Sequence, residues 1–213
     1  MKKAKLQKSE DCKKVSLQFD EDRHLWNAIK LGDPNALKKL FDKYYADLFF
    51  YGSKLVHNSN NAADTIQDLF ANIWEKRKQN KEVTYVKAYL FACLRNNILK
   101  VDSKDVLKGS YSDEVLNSKC DFDISPEEIY LDNETHIENQ RIIEELLAKL
   151  CPNQKEIIYL KFYGNYSNIE ISEILSIKQQ SVANLLARTI KTLRKHQKQN
   201  NLAFVNMLIS GMI

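Results

Sequence analysis

The chain has 213 residues, 28% of them charged and 44% hydrophobic, and a formal net charge of +4. That length can bury one large or two small cores, and the composition excludes a disordered protein. Five glycines and three prolines leave long stretches without a breaker, so a strand-rich fold with its frequent turns is disfavoured and an all-α protein is expected.

The positive excess permits nucleic-acid binding without requiring it, so the placement of the charges decides more than their sum. Cys12, Cys93, Cys120 and Cys151 are scattered, with no Cys-x-x-Cys pair. This argues against a zinc site and for ordinary reduced thiols in a cytoplasmic protein. The basic N-terminus is followed by polar residues, unlike a signal peptide. No apolar run approaches the ~20 residues that span a bilayer, so no direct membrane insertion is expected.

In chain order, residues 1–21 are Lys-rich, lack helical periodicity and read as a basic flexible tail. A first helical domain is expected over 22–102. Leu25, Trp26 and Ile29 suggest a short amphipathic turn closed by Gly32. Asp33-Pro34 pairs an N-cap with a proline at the first helical position, a strong start signal. The helix it opens carries Leu37, Leu40, Phe41, Tyr44, Tyr45, Leu48, Phe49 and Leu55, as suits the centre of a bundle. Asn58-Ser59-Asn60-Asn61 reads as a turn.

The stretch Ala62–Trp74 follows. On a helix, Ile66, Leu69, Phe70 and Ile73 share a buried face at i, i+3, i+4, i+7 spacing. Asp64, Gln67, Asp68 and Glu75 fall opposite, with no basic residue among them. Such a stripe is usually a solvated face, but on a basic chain it also suits a positively charged partner. Lys76 to Lys81 form a charged exit. A further helix is expected from Tyr85 to about Val101, with Tyr89, Leu90, Leu94 and Ile98 on one side and Arg95, Asn96 and Lys100 on the polar face. Aromatic residues interleaved with basic ones suit single-stranded DNA, where bases stack on rings and cations hold phosphates. Packing of the tyrosines inside the bundle is an equal alternative.

Over 103–133 the periodicity fails and acidic and small polar residues dominate. This reads as an acidic linker, with Ser125-Pro126-Glu127-Glu128 as the start of a short helix. The second domain is expected over 134–198. Ile142, Ile143, Leu146, Leu147 and Leu150 give one helix, Cys151-Pro152-Asn153 a break, and Gln154 to Tyr163 the next, with Ile157, Ile158, Leu160 and Phe162 apolar. A short helix at Asn168–Leu175, a tight connection at Ser176-Ile177-Lys178 and a longer helix from Gln179 to about Lys198 make a helix-turn-helix.

In the last helix Val182, Leu186, Ile190 and Leu193 share one face. Asn184, Arg188, Lys191 and Lys195 share the other, with Gln180 and Ser181 at its N-terminal end. Arg reads guanine and Asn or Gln reads adenine in the major groove, and lysines suit phosphates. A plain amphipathic helix explains the periodicity equally well. It does not explain the preceding short helix or the absence of any carboxylate from Gln179 to Ile213. Residues 199–213 form an apolar tail that either packs as a helix or is a loose end. The four histidines are dispersed, and no nucleophile–base pair or glycine-rich phosphate loop is visible, so no enzyme, metal or cofactor is indicated.

Together these motifs resemble bacterial RNA polymerase sigma factors of the sigma-70 family. Gly32-Asp33-Pro34-Asn35-Ala36, Ala63-Asp64-Thr65-Ile66-Gln67-Asp68-Leu69-Phe70 and Ile73-Trp74-Glu75 are similar to the second conserved region, with Ala88-Tyr89-Leu90 and Arg95-Asn96 on its next helix. Leu150 to Arg194 is similar to the fourth, through Tyr166-Ser167, Glu170 to Leu175, Ser181-Val182 and Arg188. With only a linker between them, the arrangement resembles the small extracytoplasmic-function (ECF) group.

The resemblance implies two small helical domains in a non-enzymatic factor that brings core RNA polymerase to promoter DNA. It assigns polymerase docking to Asp64, Gln67, Asp68, Phe70 and Trp74. It assigns the melted downstream element to Tyr85, Tyr89, Arg95, Asn96 and Lys100, with a flipped base held by the loop Gln79–Thr84. It assigns the upstream duplex to Lys178, Gln179, Gln180, Ser181, Asn184, Arg188 and Lys191. An anti-sigma partner and a monomeric free form are also implied. Cys151 stands where proline is usual and Lys155 where arginine is; Asn97 to Val101 lacks the arginines common there, and Asn168 replaces a charged turn residue. The alternative is a stand-alone helix-turn-helix regulator whose N-terminal bundle senses a signal.

Overall fold

A computed structural model describes residues 20–55, 59–102, 122 and 145–197. The N-terminal tail to residue 19, most of the linker with its helix start at Ser125, Ile142, Ile143, Lys198 and the apolar C-terminal tail lie outside the described residues. Every regular element described is helical. None of these helices is long and apolar enough to cross a membrane. The chain divides into two compact units, the first of which holds residues 20–53 and 59–98.

The first unit begins with α1 (20–31), a helix of three turns where the sequence suggested a single one from Asp22. The difference lies in a partner that periodicity does not show. Asp22 is buried, and it accepts hydrogen bonds from the Tyr44 hydroxyl and from Lys43 Nζ, the latter at 2.7 Å. Lys43 also reaches Glu21 at 2.9 Å. Burial works against the Lys43 ammonium, but the hydrogen bonds to Asp22 and Glu21 outweigh it and hold the group above the ordinary lysine range. The first turn of α1 is thereby tied to the middle of α2, while Trp26 and Ile29 are buried beneath it.

Gly32 ends α1 at a φ of +94°, a conformation that costs an L side chain but not glycine. Asp33 then caps α2 (Pro34–Ser53), its Oδ1 accepting from the Asn35 N–H at 2.8 Å. The helix stops at Ser53, so Leu55 lies beyond it. Leu40, Tyr44, Leu48 and Tyr51 form the buried side. Gly52 lets three helices converge: a Cβ there would lie 3.3 Å from Leu94, 3.4 Å from Ala62 and 3.6 Å from Ile98.

α3 (Ser59–Glu75) takes in Ser59 to Asn61, where a turn was expected. Serine and asparagine serve helix N-termini as readily as turns. α3 packs along α2, and α4 (Val86–Asp102) closes the core with Val86, Ala88, Leu90, Phe91, Leu94 and Ile98.

In the second unit, residues 145–147 are helical, and Leu146, Leu147 and Leu150 are buried. α5 (Pro152–Ile158) starts at the proline itself, which is tolerated where no N–H is needed. Cys151 holds the N-cap position, its N–H donating to Gln154 Oε1 at 3.1 Å. α5 then widens into a π-helical turn, Tyr159–Tyr163, closed by Gly164 N–H donating to the Tyr159 carbonyl at 3.1 Å. The wider turn alters the expected apolar face: Tyr159 and Leu160 are buried, while Phe162 is half-buried. From the linker, Phe122 is buried with its ring 5.4 Å from that of Tyr159.

α6 (Asn168–Leu175) opens on a reciprocal capping box. Glu170 Oε2 accepts from the Ser167 N–H at 2.8 Å, and Ser167 Oγ accepts from the Glu170 N–H at 3.3 Å. It ends at Ser176 in the left-handed conformation. The Ile177 N–H donates to the Ser172 carbonyl at 3.0 Å, closing the turn into α7 (Gln179–Gln197). α7 packs on both α5 and α6 through Val182, Leu186, Ile190 and Leu193.

Candidate nucleic-acid and docking surfaces

The α3 surface divides as its periodicity demands. Ile66, Leu69, Phe70 and Ile73 are buried, and Asp64, Gln67, Asp68 and Glu75 are exposed. Among the described residues none of these three carboxylates forms an ion pair. Phe70 corrects the expected docking set. It is 4% exposed and meets Phe41 edge-on at 5.0 Å, so it shapes the helix from inside and offers no contact face. Trp74 is half-buried at the helix end, where the Arg77 guanidinium lies 4.4 Å from its ring and donates to its carbonyl at 2.8 Å. The docking candidates that remain at the surface are therefore Asp64, Gln67 and Asp68, with Trp74 at the margin beside a cation.

The loop after α3 is held by side chains to backbone. Asn80 Nδ2 donates to the Ile73 carbonyl at 3.0 Å, and Trp26 Nε1 donates to the Lys81 carbonyl at 3.1 Å. Tyr85 precedes α4, and its carbonyl accepts from the Tyr89 N–H at 2.9 Å. At ~100° per residue, Tyr85, Tyr89, Asn96 and Lys100 follow one strip of the helix, and Arg95 sits about a quarter turn away. Tyr85, Tyr89, Arg95 and Asn96 are half-buried and Lys100 is exposed. The sequence left the tyrosines between bundle packing and base stacking. Tyr89 leans toward packing, its ring edge-on to Trp26 at 5.3 Å.

Burial, then the neighbouring Cys93, push the Tyr89 hydroxyl up to about 12 from an ordinary 10.0. Below that ordinary value the group is neutral in folded and unfolded chains alike and adds no pH dependence. Above it the unfolded chain loses the proton first, so stability falls as pH rises and levels off past the folded value. Ultraviolet titration of wild type against Tyr89→Phe should show the missing tyrosine ionising near pH 12; ionisation at the ordinary value would mean that Tyr89 stands in water.

On α7, Gln179, Gln180, Asn184, Arg188 and Lys191 are exposed, as is Lys178 just before it, and Ser181 is half-buried. Gln180 Nε2 donates to Asn184 Oδ1 at 3.2 Å, which places two candidate base readers side by side one turn apart. Arg194 and Lys195 extend the same exposed face; Arg194 was not singled out from sequence, although the helical period places it there. No carboxylate interrupts α7. Among the described residues no group of His, Cys, Asp or Glu could hold a metal ion.

The family model for sigma-70 region 2 matches residues 40–101, and the model for sigma-70, region 4 matches residues 140–193. The chain is 23% identical over 159 residues to the ECF RNA polymerase sigma factor SigL of Mycobacterium tuberculosis, covering 74% of this chain and 86% of that protein. It is also 23% identical over 164 residues to the ECF RNA polymerase sigma factor SigX of Bacillus subtilis, covering 75% and 82%. The fold is similar to that of CnrH, solved in complex with the cytosolic domain of CnrY, with a TM-score of 0.56 at 16% identity over 84% of this chain and 99% of that one.

Proposed function

We propose, since this chain belongs to the sigma-70 family of RNA polymerase sigma factors and to its ECF group, that its two helical units divide promoter recognition between them. The factor directs RNA polymerase in transcription initiation. In our reading α3 docks on a basic site of the core enzyme through Asp64, Gln67 and Asp68, with Trp74 at the edge of the contact. The loop 79–84 and the Tyr85, Tyr89, Arg95, Asn96 and Lys100 strip receive the melted downstream element. One extruded base is held in the loop, offsetting the few kcal/mol that unstacking costs. The upstream duplex is read by Gln180, Asn184 and Arg188 against base edges, while Lys178, Gln179, Ser181 and Lys191 contact its backbone.

The observation that carries this reading is the pairing of two surfaces of opposite sign. An acidic α3 face lies within the region 2 match, and the cationic, carboxylate-free α7 face has Arg188 and Lys191 within the region 4 match. An anti-sigma partner that withholds the free, monomeric factor from polymerase belongs to the same reading. CnrH, which shares the fold, is bound to the cytosolic domain of CnrY in its solved structure.

In-vitro transcription with purified core enzyme tests the whole: start sites should map to a shared pair of upstream and downstream elements. A stand-alone regulator would neither bind core stoichiometrically nor start transcription. Within that assay, Arg188→Ala should lower transcription from its promoters about tenfold, with core binding unchanged, because a bidentate base contact is worth ~1–3 kcal/mol of discrimination. Equal transcription from native and scrambled upstream elements by the wild type would remove α7 from promoter reading.

A further inference from the structure

α1 lies outside the matched region 2 segment, which starts at residue 40, yet it touches the strand-binding surface at two points. Both contacts come from Trp26, a side chain 1% exposed. Its indole N–H donates to the Lys81 carbonyl at 3.1 Å, across 55 residues of sequence and in the middle of the loop 79–84. Its ring meets Tyr89 of α4 edge-on at 5.3 Å. α1 is itself anchored, because the buried Asp22 one turn earlier is bound by Lys43 and Tyr44 of α2.

We propose that Trp26 is a positioning residue for base capture: it fixes the loop backbone at Lys81 relative to Tyr89 and so sets the geometry of the receiving site. The indole touches no nucleotide; it acts through the two groups that do. This inference rests on the assignment of loop 79–84 and Tyr89 to the melted element. The bond is made to the backbone carbonyl of residue 81 and does not use its side chain. A neutral hydrogen bond such as this part-buried one carries a net effect of about fivefold on the equilibrium it supports. Losing the donor also leaves the Lys81 carbonyl without its partner.

The experiment uses the complete holoenzyme on a promoter that it transcribes, with single abasic sites introduced in turn along the melted element. Open-complex lifetime is the readout. For the wild type, one abasic position should shorten the lifetime sharply, marking the captured base. Trp26→Phe keeps an aromatic ring but loses the N–H, and should shorten the lifetime on the intact promoter about fivefold while giving no loss at the marked abasic position.

If Trp26→Phe unfolds, benzothienylalanine incorporated at position 26, which exchanges the N–H for sulfur at nearly the same shape, carries the same expectation. A variant that shortens the lifetime equally on intact and abasic promoters acts through general stability and overturns the proposal. So does one that keeps the full wild-type abasic step. A flat wild-type profile overturns the loop assignment itself, and the proposal with it.

Discussion

Asp64→Lys combined with Asp68→Lys is expected to reduce affinity for core polymerase at least ~100-fold while the first unit stays folded. Both carboxylates are exposed on α3, opposite Ile66 and Leu69, and neither pairs with a cation among the described residues. Removing them breaks no internal bond that the structure shows. Lysine has a helix propensity at least equal to that of aspartate. Surface changes of this kind usually move stability by no more than ~0.5 kcal/mol.

At the proposed interface the same change sets like charge against like, a juxtaposition that costs several kcal/mol, and each ~1.4 kcal/mol is tenfold in affinity. Titration of labelled factor with core enzyme, alongside circular dichroism and thermal unfolding, separates the two effects. Wild-type affinity in a folded double variant would reduce the acidic stripe to a solvated face. The contrast with Phe70 is instructive. Phe70→Ala should weaken docking only together with stability, because the ring lies in the core against Phe41.

The second large effect is structural and concerns the other unit. Gly164→Ala is expected to destabilise it by about 2–3 kcal/mol, the upper range for overpacking. The backbone at Gly164 is ordinary, with φ −72° and ψ −16°, so conformational freedom is not the reason for glycine. Space is. A Cβ there would fall 2.3 Å from Cε2 and 2.4 Å from Cδ2 of the Tyr166 ring, and 3.0 Å from the Leu160 carbonyl oxygen. Tyr166 is buried and follows Asn165, which has a φ of 55°, so ring and backbone would have to move together.

The shift would propagate into Ser167, whose hydroxyl and N–H start α6. A small domain has little reserve, and a loss of this size lowers its melting temperature by roughly 10 °C or more. Thermal unfolding checks this directly; a change within about 2 °C would show that the Tyr166 ring swings aside freely. Upstream-element binding should fall with the fold, whereas docking through α3 should persist.

What the sequence disclosed follows from the range of each interaction. The faces of α3 and α7 rest on local periodicity, and Ile66, Leu69, Ile73, Val182, Leu186, Ile190 and Leu193 are all buried as that period requires. The caps at Asp33 and Ser167 depend on residues two or three apart, and the first was legible from Asp-Pro alone. By contrast, the full length of α1 depends on Asp22 meeting Lys43 and Tyr44 twenty-one and twenty-two residues away. The Trp26–Lys81 bond spans more than twice that distance.

No single-element pattern encodes such pairings. The π turn at Tyr159–Tyr163 escaped for a different reason. Its apolar residues fit an α period closely enough that only the Tyr159–Gly164 hydrogen bond reveals the wider turn. Phe70 shows how a motif can mislead: membership in a resembling segment marked it as contact surface, whereas its spacing with Ile66, Leu69 and Ile73 marked it as core, and spacing prevailed.

The carboxylate-free face of α7 has a consequence for ionic strength. Lys178 just before the helix and Lys191, Arg194 and Lys195 on it stand exposed without acidic neighbours along the helix. Each phosphate that such a side chain neutralises releases condensed counterions, and affinity then falls by nearly one power of the salt concentration per contact. With four contacts, a fourfold rise in salt would weaken upstream binding by roughly two orders of magnitude. The docking proposed for the acidic α3 face would depend on charge as well, with a partner that is a protein and not a polyelectrolyte. On the proposed assignments salt is expected to act as a common attenuator on both engagements, loosening the grip on DNA more steeply than the grip on polymerase.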